Sequence, residues 1–228
     1  MTESQKQAFL SYPSRFITEN KLTRFDEVLQ YRTRYITVVL EDIFQSHNAS
    51  AVLRTCDCFG VQDVHIIENQ NAYTVNPDVA LGSSKWLNLF KYSDKEDNTP
   101  EALQKLRKAG YRIIATTLHS DQVKLQELDL GKGPIALVFG TEMRGVTKTV
   151  LESADEFMKI PMYGFTESFN ISVSVALSLF YLTEKLRSSD INWKLSENEI
   201  LDIRLEWAKQ VVKRSDLLER DFFQKYSD

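Results

Sequence analysis

The sequence predicts an α/β fold built on a parallel sheet with flanking helices. Short, nearly continuous apolar runs alternate with segments of helical spacing through the middle of the chain, as strands buried on both faces do. Capping and helix-stopping residues stand at the segment ends, with Thr99-Pro100 before one helix and Gly110 after it. The two ends of the chain lack that alternation and read as polar helices.

Residues 1–34 form a basic arm with helical potential, carrying six basic residues (Lys6, Arg15, Lys21, Arg24, Arg32, Arg34) against four acidic ones. The predicted strands are Tyr35–Leu40, Val64–Ile67, Tyr111–Ala115, Ile135–Phe139 and Phe157–Ile160. Helices are predicted at Asn48–Phe59, Pro100–Ala109, Val146–Ala154 and Ile171–Arg187. Residues 35–187 thus read as the main domain and 188–228 as a C-terminal helical extension. In its tail, Glu197–Lys225, the residues Ile200, Ile203, Trp207 and Val211 make one apolar stripe. That stripe is expected to pack on the main domain or on a second subunit, with Arg204, Lys213 and Arg214 on the opposite face.

Composition excludes several classes. With 43% hydrophobic and 26% charged residues among 228, the chain is neither disordered nor fibrous. Its net charge of −4 argues against a generally basic nucleic-acid binder, so any RNA site is a local patch. Cys56 and Cys58 with the scattered His47, His65 and His119 give no zinc spacing, and no metal is expected. Reduced thiols, a polar N-terminus without a signal-peptide core and no apolar run of bilayer length point to the cytoplasm.

Three segments carry candidate chemistry. Phe139–Thr147 (FGTEMRGVT) has the strand-to-helix context and Gly140-x4-Gly145 spacing of a phosphate loop, but Val146 replaces its lysine, which disfavours a nucleotide triphosphatase. The glycines instead suggest a backbone loop that closely approaches a small ligand, or simply a tight turn. Neither a GxGxxG nor a GxSxG motif is present. In the second segment Asn48 stands where a helix N-cap belongs, and Arg54, six residues on, suits two-pronged phosphate binding. In the third, Ser168 and Asn170 precede the helix from Ile171, with Asn170 as its N-cap; the small residues along that helix suit a buried or interface position.

Together and in this order, these segments resemble the SPOUT superfamily of RNA methyltransferases, in its TrmH branch of ribose 2′-O-methyltransferases. The resemblance rests on Asn48-x5-Arg54 after His47, IALVFGTEMRGVT with Glu142, and IPMYGFTESFNISVSVAL with Ser168 and Asn170. ALGSSKWL (Ala80–Leu87) and IIATTL (Ile113–Leu118) add to it, so it spans about Ile36–Leu186. Thr141 stands where many members carry Asn or Gln, and Phe169 where leucine is common.

The resemblance implies a deep C-terminal trefoil knot at about residues 113–187, a homodimer through the knot helices, and S-adenosyl-L-methionine as methyl donor without a metal. It implies cofactor contacts from Thr116, Gly140, Ile160 and Phe169. It makes Arg54 the catalytic arginine, proposed in the family as general base; clamping phosphate and stabilising an alkoxide is the physically sounder role, because a guanidinium stays protonated. Asn48, Ser168 and Asn170 would position Arg54 and the ribose, and Glu142 would fix the loop. Arg15, Lys21, Arg24 and Lys85 are the RNA-contact candidates. The terminal extensions and GSSKWL look like the subgroup that methylates guanosine 18 of the tRNA D-loop. Ribosomal RNA or another tRNA position is the alternative, as is a non-catalytic RNA-binding homologue. No obligatory protein partner and no membrane are implied.

Overall fold

All seven strands among the described residues pair in parallel, in the order β3-β2-β1-β6-β4-β7-β5. The computed structural model describes every residue except 1, 75, 118–122, 143 and 227–228, so His119 and Leu118 lie outside the described residues. The strands are β1 (Ile36–Glu41), β2 (Asp63–Ile67), β3 (Asn88–Tyr92), β4 (Arg112–Thr116), β5 (Val123–Lys124), β6 (Ile135–Phe139) and β7 (Glu156–Lys159). Every residue of β1, β2 and β6 is buried, which is why these segments read as unbroken apolar runs. The edge strands β3 and β5 have no such run and are not among the predicted strands.

Helices α3 (Ser46–Cys58) and α7 (Ile171–Arg187) pack together on one face of the sheet, and α5 (Thr99–Lys108) and α6 (Lys148–Ser153) on the other. A short helix α4 (Pro77–Ala80) lies against α3. Helix α7 starts as expected: the Asn170 side chain accepts from the Ser172 N–H at 2.9 Å. Near its end the Lys185 ammonium donates to the Leu128 carbonyl at 2.8 Å, which ties α7 to the loop before β6.

Two caps differ from expectation. Asn98, not Thr99, precedes α5; Thr99 is helical and buried, because its hydroxyl bonds a carboxylate on β1. Asn48 is not the cap of α3, which Gln45 precedes; it lies within the first turn with its amide committed elsewhere.

The chain divides into two compact units, Thr33–Trp193 and the pair of terminal segments Met1–Arg32 with Lys194–Asp228. The terminal unit holds α1 (Glu3–Ser14), α2 (Glu19–Leu29), α8 (Glu197–Val211) and α9 (Ser215–Tyr226). Phe9, Leu205 and Phe222 form one of its buried clusters. The C-terminal extension is two helices, divided where Arg214 adopts φ 60° between α8 and α9. Its apolar stripe packs on the N-terminal segment: Trp207 meets Phe25 edge-on at 5.4 Å and the Arg32 guanidinium at 5.2 Å. Arg204 pairs with Asp26. No helix among the described residues is long and apolar enough to cross a membrane.

His65 on β2 is buried beside Phe90, stacked at 4.8 Å, and Tyr92, whose hydroxyl lies 2.9 Å from Nδ1. Burial lowers its pKa to about 4. The unfolded chain therefore binds this proton first, so the fold loses stability as pH drops from about 6.5 toward about 4. His65→Phe is expected to flatten that part of the pH–stability curve, read as thermal midpoints of both proteins across pH 4–7.

Candidate active site

In an open parallel sheet a ligand crevice forms outside the carboxyl ends of the strands where the chain order reverses. Here β1 runs outward to β2 and β3, whereas β6 and β4 lie on its other side. A cavity of about 370 Å³ opens on the β6 side of that reversal, at the ends of β4, β6 and β7. Thr116, Gly140, Ile160 and Phe169, the four residues expected to hold a cofactor, all line it. Its size falls within the usual range for small-molecule sites.

The turn after β6 shapes one wall. Thr141 and Gly145 exchange both backbone hydrogen bonds, at 3.0 and 2.8 Å. Gly145 has φ +69°, and a Cβ on Gly140 would fall 2.0 Å from the Gly145 carbonyl oxygen. Only glycine fits at 140, and the exchanged bonds fold the turn so that Glu142 faces α3 and α7. The Arg144 N–H donates to the Thr141 hydroxyl at 3.1 Å, which braces the turn from within.

Glu142 gathers the other two motifs. Its Oε1 accepts from the Asn48 amide at 2.9 Å and from the Asn170 amide at 2.7 Å. The Asn170 amide also donates to Asn48 Oδ1 at 3.1 Å, and the Asn48 amide to Gln45 Oε1 at 3.0 Å. Both amide nitrogens thus have both hydrogens committed, so their orientation is fixed. Glu142 Oε2 has no hydrogen-bond partner among the described residues, which leaves an anionic oxygen at the cavity rim. Ser168 lines the same cavity on the exposed segment before α7.

Arg54 does not join this cluster. It lies six residues beyond Asn48 on α3, about 9 Å along the axis and turned to another face. Its side chain is exposed and pairs with no described residue. The RNA-contact candidates are divided between the two units. Arg15 lies over the Tyr12 ring, Lys21 over the Phe25 ring, and Arg24 pairs with Glu27, all in the terminal unit. Lys85 is exposed in the other unit, on the 3-10 turn Ser83–Trp86.

Sequence reasoning missed Gln45, Thr147 and Glu41. Thr147 caps α6, and its hydroxyl and N–H both bond the buried Glu41 carboxylate at 2.7 and 2.8 Å. A threonine just before a helical segment was the available signal; nothing local marks Glu41. No group of three or more His, Cys, Asp or Glu among the described residues is placed to hold a metal.

Residues 35–180 match the family described as SpoU rRNA Methylase. The tRNA (guanosine(18)-2′-O)-methyltransferase of Borreliella burgdorferi is 48% identical over 206 residues, 90% of this chain and 92% of that protein. The enzyme of the same name from Thermus thermophilus is 38% identical over 163 residues, 72% of this chain and 81% of that protein. Among solved structures, the TrmH/SpoU tRNA modifying enzyme of Aquifex aeolicus superposes with a TM-score of 0.76 at 33% identity. It covers 86% of this chain and 98% of that one.

Gly140→Ala is expected to lower stability by about 2 kcal/mol or more, since backbone and not a side chain must give way. Gly164→Ala, whose nearest neighbour would be 4.0 Å away, is the tolerated control. Equal denaturation midpoints for the two variants would contradict the close approach.

Proposed function

The chain belongs to the SpoU rRNA Methylase family, and from that premise we propose that it methylates the ribose 2′-hydroxyl of guanosine 18 in tRNA. The observation that carries the reading is the meeting of the three motifs at one carboxylate, with Asn48 and Asn170 both bonded to Glu142, at the mouth of the Gly140 cavity. The substrate is supported by the 48% identity to a tRNA guanosine-18 enzyme across nine-tenths of the chain.

When bound, S-adenosyl-L-methionine supplies an electrophilic methyl group. Thr116, Gly140, Ile160 and Phe169 would hold it, largely through backbone groups. The residues fit: the cavity has a ligand's size, mixes apolar walls with backbone polar groups, and has Glu142 and Glu167 among its lining residues to attract a cation. Asn48 and Asn170, locked by Glu142, position the ribose together with Ser168. A guanidinium is not deprotonated in proteins, so Arg54 does not take the 2′-hydroxyl proton, which passes to solvent. With no ion pair to it among the described residues, the guanidinium clamps an RNA phosphate through two parallel bonds and stabilises charge developing on the 2′-oxygen. Alignment of the reacting atoms supplies much of the acceleration. No metal has a role in this scheme.

We further infer a trefoil knot within about residues 113–187. The placement of β6 between β1 and β4, and the return of α7 to pack on α3, support it. The same helix supports a homodimer. Val173, Leu177 and Phe180 stand 42%, 38% and 59% exposed at spacings of four and three, one outward stripe opposite the buried Val175, Leu179 and Leu182. The basic residues Arg15, Lys21, Arg24 and Lys85 are proposed to meet the RNA backbone, in the cytoplasm and without a further protein partner.

Three experiments test this reading. With tritiated methyl donor, the protein is expected to label unmodified tRNA at the guanosine-18 ribose. Label confined to ribosomal RNA would overturn the substrate. Arg54→Ala and Arg54→Lys should each lose about 100-fold or more in turnover while donor binding persists; near-normal turnover would remove Arg54 from the mechanism. For the dimer, Phe180→Glu is expected to convert the protein to monomer in sedimentation velocity.

A further inference from the structure

Glu41 ends β1 with a side chain 1% exposed to solvent. Its Oε1 accepts from the hydroxyls of Thr99 and Thr147, each at 2.7 Å, and its Oε2 accepts from the Thr147 N–H at 2.8 Å. Among the described residues no lysine or arginine forms an ion pair with it. A buried carboxylate without a cation is costly, and a neutral side chain at a strand end would avoid that cost. Stability alone therefore does not explain the residue.

Its partners do. Thr147 is the N-cap of α6 and the last residue of the turn that starts at Gly140. The near side of that turn is closed by the Thr141–Gly145 exchange. The far side is fixed by Glu41, since Thr147 turns both its N–H and its hydroxyl onto the carboxylate. Thr99 is held in turn by the Asn69 amide at 3.0 Å, so the carboxylate cannot swing away from Thr147 without breaking a second network. We infer that Glu41 is a positioning residue for the cofactor loop: acting through Thr147, it sets the Gly140–Val146 wall of the cavity and the place from which Glu142 reaches Asn48 and Asn170. The inference rests on the methyl-transfer reading above. Glu41 is absent from the lining of the cavity, so its effect is indirect.

The test is calorimetric binding of S-adenosyl-L-methionine and filter binding of tRNA, measured on folded protein well below the melting temperature. Glu41→Gln keeps the shape but turns an amide N–H toward the Thr147 N–H. It is expected to bind the donor about 10-fold more weakly, the scale of one charge-assisted hydrogen bond, with tRNA affinity unchanged. Thr147→Ser keeps both donors and should bind as the wild type does, whereas Thr147→Val should bind more weakly. Adding Thr147→Val to Glu41→Gln should cost little more, because both changes break one link. A folded Glu41→Gln protein with wild-type donor affinity, or fully additive losses, would overturn the inference. If Glu41→Gln does not fold, the Thr147 pair decides, and equal affinities for Ser and Val overturn it. Wild-type protein that binds no donor refutes the methyl-transfer reading and this inference with it; wild-type binding matched by all variants refutes the inference alone.

Discussion

A backbone carbonyl occupies the space where residue 140 would carry a side chain, and much of the site depends on that contact. The C-terminal end of β6 is in the middle of the sheet, flanked by β1 and β4. A chain leaving there must turn at once or run into its neighbours. Gly140 lets it turn by accepting Gly145 against its own backbone. The turn is thin, so the cavity beside it is lined in part by peptide groups rather than by side chains, which suits a ligand recognised through backbone hydrogen bonds.

The same turn carries Glu142 outward, and its carboxylate does what no apolar contact does. It fixes two amides from elements 94 and 28 residues away, with both hydrogens of each amide used. Helices α3 and α7 are already pressed together by their apolar faces, but packing does not orient polar side chains at the helix starts. Hydrogen bonds to one shared anion do, because each is directional and stronger than a neutral pair. Core packing sets the distance between the helices, and Glu142 sets the direction of the groups they present.

Much of this was legible in the sequence, and the parts that were not share a physical reason. Central strands announce themselves because both faces are buried; β6 was read at its observed bounds. Helix α7, with its Asn170 cap, was read at its bounds too. The edge strand Asn88–Tyr92 was missed because a strand covered on one side needs no apolar run. Asn48 was misread as a cap, since a cap and an inward-turned amide near a helix start use the same residue type. Only Glu142, distant in sequence, decides between them. Glu41 was invisible for the complementary reason: a carboxylate ending a strand looks like a solvent-facing residue until Thr99 and Thr147 close over it.

Arg54 stands apart from the cluster its motif predicts, and that separation is informative. A guanidinium bonded to Glu142 would be neutralised, and would have to break that pair before meeting a phosphate. Here the carboxylate is occupied by neutral amides, and the arginine is left exposed with its full charge. The charges are held apart by assigning the anion partners that carry none. In the proposed mechanism such an arginine would bind an incoming phosphate without first surrendering an ion pair to any described residue, and the favourable energy of that contact would be available for aligning the ribose. Under that proposal the site would be completed by an anion carried by the RNA itself, which would couple alignment of the ribose to arrival of the substrate.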